Sequence, residues 1–187
     1  MKNRRLLPLG LGLVALVVLG VTGCFLTSAQ ILVHVPLGDG GFMIAGADGY
    51  KRIAVDLNTI SDYKDNKDKL KNISDFALVG TLINTDGPGG GVEVWISPDN
   101  TSFTTPAAIR ASATKLWGPG TIGAPPATRA IGWDDSAALF TAAGKKILLA
   151  EAKGDGKLTL YAIETPTAVN TITLSRGYLI LVIDAGI

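Results

Sequence analysis

Val92-Glu93-Val94-Trp95-Ile96-Ser97 alternates without a break. Val92, Val94 and Ile96 point one way, and Glu93, Trp95 and Ser97 the other. A side-chain period of two is the signature of a half-buried strand. The segment before it, Asp75 to Asn84, is apolar on both alternating sets: Phe76, Leu78 and Leu82 on one, Ala77, Val79 and Ile83 on the other. A strand of that kind is covered on both faces. Between them, Thr85 to Gly91 holds Pro88 and a run of glycines that reverses the chain. Adjacent strands joined by such a loop predict an antiparallel arrangement.

The pattern extends in both directions. Residues 31–36, 42–45 and 50–57 read as strands, with an Asp-Gly hairpin turn at Asp48-Gly49. Residues 128–133, 146–152, 157–164, 171–174 and 178–184 read the same way, with 146–152 and 157–164 as a hairpin across Gly154-Asp155-Gly156 and a turn at Asp134-Asp135-Ser136. Ile60, Tyr63, Leu70 and Ile73 recur at helical spacing among Asp and Lys. This predicts one amphipathic helix over about 61–72, lying as a lid on the outer face of strands 75–84 and 92–97, with Trp95 under its edge. A short helix is expected over 107–116. The fold class is therefore all-β: an antiparallel β-sandwich or jelly-roll-like domain with one short inserted helix.

The first 24 residues belong to a different grammar. Lys2, Arg4 and Arg5 precede an apolar run from Leu6 to Val21, which ends at Val21-Thr22-Gly23-Cys24. A charged region, an apolar core and a small-residue site make a targeting segment. Pro8, Gly10, Gly12 and Gly20 interrupt the run, which falls short of the ~20 apolar residues a bilayer span needs. A spanning helix and an unlipidated secretory signal remain the alternatives. The segment resembles the precursor signal of bacterial lipoproteins, whose lipobox sets a small residue before a cysteine; Val21 stands where Leu is commonest. The resemblance implies cleavage before Cys24, acylation of Cys24 at sulfur and amino terminus, and a membrane-anchored protein of the cell envelope. Phe25 in place of Asp implies the outer membrane where the cell has two. On this reading residues 1–23 are a cleaved signal, 24–30 the lipidated cysteine and a short linker, and 31–187 a single domain.

Without the leader, 14 basic residues face 16 acidic ones, a net charge near −2. No basic patch of the nucleic-acid-binding kind is present. Cys24 is the only cysteine, so the domain forms no internal disulfide and has no thiol nucleophile. The only histidine, His34, has no partner at metal-ligand spacing, and reads as a surface strand residue. Asp62, Asp65, Asn66, Asp68 and Asp75 invite calcium, yet Lys64, Lys67, Lys69 and Lys71 neutralise them. Asp134-Asp135 with Asp155 or Asp184 is a second oxygen-ligand candidate, read mainly as turn chemistry. The glycines at 87–91 lack the Lys-Ser/Thr of a phosphate loop. No carboxylate pair or nucleophile elbow marks a hydrolase.

The expected role is thus non-catalytic, binding or structural, with no cofactor and no metal. The alternatives are a carbohydrate- or surface-binding module, with Trp117 in a Gly-Pro loop as the exposed aromatic and Trp95 second, and a hydrolase with an unrecognised site.

Overall fold

The computed structural model describes residues 28–45, 48–98, 102–167 and 169–186. The nine strands among them are β1 (Ser28–Pro36), β2 (Gly41–Ile44), β3 (Tyr50–Asp56), β4 (Leu70–Asp86), β5 (Gly90–Pro98), β6 (Thr114–Ile122), β7 (Ala127–Ile131), β8 (Lys157–Thr165) and β9 (Thr171–Gly186). They form two antiparallel sheets. The first runs β1-β9-β4-β7, with β2 beside β9 in line with β1; the second runs β3-β8-β5-β6. The chain is a β-sandwich with a few short helices, as the alternation predicts.

The inner faces carry the core. Phe76, Leu78 and Leu82 of β4 meet Val92, Val94 and Ile96 of β5 across the interior, and all six are buried. The two strands that frame the glycine loop do not pair. They lie in opposite sheets, and the loop crosses between layers.

The helix expected over 61–72 is not there as a unit. Helix α1 (Ser61–Lys64) lasts one turn, a 3-10 turn follows at Lys67–Lys69, and β4 begins at Leu70. A register shift between Leu70 and Asn72 explains the misleading spacing. An extra residue in a strand puts positions three apart on one face, as a helix would. Leu70 and Ile73 thus pair with Ala185 and Ile183 of β9. Tyr63 alone sends its side chain inward from α1, and its hydroxyl donates to the Ala152 carbonyl at 2.6 Å. This segment covers no outer sheet face.

The covering helices lie elsewhere. Helix α2 (Pro106–Ser112) starts on a Thr105 cap, whose Oγ1 accepts from Ala108 N at 3.2 Å, and on Pro at the first turn. It ends before Trp117, which stands on β6 instead. Helix α3 (Trp133–Ala137) replaces the expected turn. Helix α4 (Ala142–Lys153) replaces the strand expected at 146–152. Ile147-Leu148-Leu149-Ala150 is a short apolar run whose period is ambiguous. Gly144, Leu148 and Ala152, four residues apart, are the buried stripe that resolves it. Gly144 is required there: a Cβ would stand 2.5 Å from Leu116 Cα. Strand β9 is continuous over the two segments read separately, with Arg176 at φ 53 as the irregularity between them.

Leu148 is fully enclosed between α4 and the sheets, so Leu148→Ala should cost about 2–5 kcal/mol in chemical denaturation. Leu70→Ala, at a half-buried strand start, should cost less. A larger loss at Leu70 than at Leu148 would contradict the observed packing.

Candidate functional site

The outer face of the second sheet is covered. Tyr161 and Ile163 of β8, Tyr50 of β3 and Trp95 of β5 pack with Ile109 of α2 and Phe103 into a small second core. Phe103 N donates to the Tyr161 hydroxyl at 3.2 Å, and the two rings lie 5.5 Å apart.

A charged cluster forms at the rim of this core. Glu93 is buried, at 8% exposure. Lys115 Nζ donates to Oε1 at 2.6 Å, Trp95 Nε1 donates to Oε2 at 3.2 Å, and Arg110 Nε stands 3.6 Å from Oε2. Burial pushes the Glu93 carboxyl up, but the hydrogen bond and charge of Lys115, the indole donor and the Arg110 charge outweigh it, leaving the group below its ordinary value. Arg110 also donates to the Glu164 carbonyl at 3.2 Å and to Thr167 Oγ1 at 3.1 Å. One guanidinium therefore ties α2 to β5 and to the loop after β8. The cluster holds an ionised carboxylate and fixes a helix; its donors are already committed to protein acceptors.

Trp95 is half-buried here, with Lys115 Nζ 5.6 Å from its ring centroid. It is covered by α2 and Phe103 and not by residues 61–72. Trp117 is the clear correction: it is 1% exposed. Gly120 makes room for the indole, since a Cβ there would stand 2.2 Å from the Trp117 ring, and the glycines on either side of Pro119 belong to strand β6 and not to a loop. Its Nε1 donates to Ser136 Oγ at 3.0 Å. A ring so enclosed offers no face to a sugar. His34 is exposed on β1, edge-on to Tyr178 at 6.5 Å. Among the described residues no three of His, Cys, Asp and Glu come together as a metal-binding group. Cys24 lies outside the described residues.

Sequence reasoning did not find Arg110 or Glu164. The signal for the first was present: Thr105-Pro106 opens a helix whose only charged residue is Arg110. For Glu164 no pattern exists. It is fully buried on the inner face at the end of β8. Its Oε1 accepts from Val169 N at 3.1 Å, from Asn170 Nδ2 at 2.6 Å and from Asn170 N. Among the described residues no donor reaches its Oε2. Asn170 Oδ1 in turn accepts from Gly89 N at 2.9 Å, and Asn84 Nδ2 donates to the Gly123 carbonyl at 2.9 Å. The loops 86–90, 122–127 and 165–171 are thereby stitched together at one end of the sandwich. Gly87 sits at φ +91, and a Cβ there would be 2.3 Å from the Val169 carbonyl oxygen, so the glycine run serves close loop packing.

The sequence matches no protein-family model, and no curated protein is significantly similar to it.

Glu93→Gln should lower stability at neutral pH. A carboxyl held low in the folded state stabilises it above the unfolded-state value, near 4.5, and loses that contribution as pH falls through the folded-state value. The stability gap between wild type and variant should therefore be full at pH 7 and close on acidification. Denaturation series at several pH values check this; a gap that widens in acid would contradict the network.

Proposed function

We propose that this is a lipid-anchored protein of the cell envelope whose β-sandwich has a binding or structural role without catalysis. The observation that carries the reading is where the fold begins. Strand β1 starts at Ser28, four residues after Cys24, and pairs with the last residues of β9 at one end of the first sheet. Four residues reach about 14 Å at most. A lipid on Cys24 would hold that end close to the membrane. The stitched loops at 86–90, 122–127 and 165–171 lie at the other end of the strands, where β9 begins. No helix among the described residues is long and apolar enough to cross a membrane.

The core also supports the reading. It is built from some thirty buried side chains of both sheets and the segments packed against them. The polar groups of its charged cluster are spent on holding α2. The carbohydrate alternative loses its leading aromatic with Trp117 in the interior.

Acylation decides the anchor. Cells fed an alkyne fatty acid should label the wild-type chain, and Cys24→Ala should abolish the label and leave the leader uncut. Equal labelling of the two would refute the proposal.

A further inference from the structure

The two sheets differ on their outer faces. The second is roofed by Phe103 and α2; on the first, Ala77 and Ile180 are buried, whereas the margin formed by Leu32, His34, Pro36 and Tyr178 stands exposed. Of the large apolar side chains that stand exposed among the described residues, Leu32 (50%), Met43 (55%) and Tyr178 (37%) lie on this one face. The pairing arranges them in rows. Leu32 stands beside Val182, His34 beside Ile180 and Ala77, and Pro36 beside Tyr178 and Val79. None of these eight residues is Lys, Arg, Asp or Glu. The Leu32–Val182 row continues to Asp75 on β4, Asp184 lies in the next row toward Ser28, and both carboxylates are engaged. Asp184 accepts from Gln30 at 3.3 Å and Ser74 at 3.0 Å, and Asp75 accepts from Trp133 Nε1 at 3.2 Å.

We propose that this face rests on the bilayer surface, with Leu32 and Tyr178 at the boundary between headgroups and acyl chains. The inference deepens the anchoring reading above and rests on it. Strand β1 is both the first described strand after Cys24 and the free edge of the first sheet, where Leu32, His34 and Pro36 stand exposed, so the tether delivers this face to the membrane. With about 14 Å of chain the domain cannot stand away from the surface, and only its orientation is open. End-on contact would press the segment 57–69 against the lipid. Asp62, Lys64, Asp65, Asp68 and Lys69 are exposed there and would have to shed water. Side-on contact through the first sheet buries apolar surface. Tyr178 and Trp133 supply the amphipathic rings that favour an interface. The acyl anchor makes the contact intramolecular, so a weak intrinsic affinity suffices to populate it. With no cation on the rows, contact should not require anionic lipid.

The test uses the full, acylated chain in phosphatidylcholine vesicles containing brominated phosphatidylcholine. Cys24 is the only native cysteine and is blocked by lipid, so an introduced thiol is unique. A nitrobenzoxadiazole probe on Tyr178→Cys should lose about half its emission to a quencher in the shallow acyl region. The same probe on Arg52→Cys, exposed on the opposite sheet, should lose none. Adding Leu32→Asp, or the milder Leu32→Ser, should restore the Tyr178→Cys emission with the acyl group still present by mass spectrometry. Raising the salt should change nothing. Acylated protein in which both sites escape quenching, or both are quenched alike, overturns the docking and leaves the anchor standing. Protection from aqueous iodide that grows with protein concentration, without lipid quenching, means a second copy occupies the face and also overturns it. Absence of the acyl group overturns the anchor, and the docking with it.

Discussion

One buried hydroxyl joins the two layers. Ser136 on α3 is fully enclosed. Its Oγ accepts from Leu78 N of β4 at 2.7 Å and from Trp117 Nε1 of β6 at 3.0 Å. Leu78 belongs to the first sheet and Trp117 to the second. Strand β7 leaves β4 unpaired beyond Gly80, so without α3 the Leu78 amide would be a buried orphan. An unsatisfied amide in an apolar interior costs about 1–3 kcal/mol. Placing the serine there lets β7 end early, and the chain then feeds α3 and α4 into the same margin of the sandwich. The position of α4, the enclosure of Trp117 and the termination of the first sheet all follow from that junction.

The two sheets close their outer faces by different means. On the second sheet, Arg110 and Lys115 converge on Glu93 and hold α2 over Tyr161 and Ile163. The price of burying a carboxylate is met by two cations and an indole donor, which is the condition under which such burial is tolerated. On the first sheet no helix does the equivalent. Its outer face leaves Leu32, Met43 and Tyr178 exposed, and the carboxylates in its rows, Asp75 and Asp184, are engaged by Trp133, Gln30 and Ser74. The asymmetry tracks the chain path: the long connection between β5 and β6 belongs to the second sheet, whereas β1 is the edge strand of the first.

The alternation at 92–97 and the doubly apolar run at 75–84 made the sandwich legible, because a period of two is a local property. What stayed hidden depends on distant partners. The bulge at Leu70–Asn72 imitates a helical period, and only the pairing with β9 reveals it. Ile147 to Ala150 supports either period until Gly144 and Ala152 are seen against β6. Trp117 was misplaced because Gly118, Pro119 and Gly120 usually signal a loop. Here Gly120 leaves space for the indole, a reason that exists only once the indole is packed. The site was less legible than the fold for the same cause. Glu93 was visible as an outward strand residue, while its partners come from positions 17 and 22 residues away along the chain.

Cys24 is the only cysteine in the sequence, so the domain fixes its loops by means other than disulfides. The buried polar side chains are placed where disulfides commonly sit, at junctions between segments remote in sequence. Tyr63 binds the end of α4 across 89 residues. Asn170 ties the loop after β8 to Gly89 across 81 residues. Ser136 reaches Leu78 across 58 residues. Such bonds contribute modestly in net terms, yet each is severe to break, because its partner is left buried and unsatisfied. They therefore act less as stabilisers than as selectors: an alternative packing that misplaces any one of the three junctions strands a polar group in the core. The selection works through hydrogen bonds alone, since no second thiol exists in the sequence to pair with Cys24.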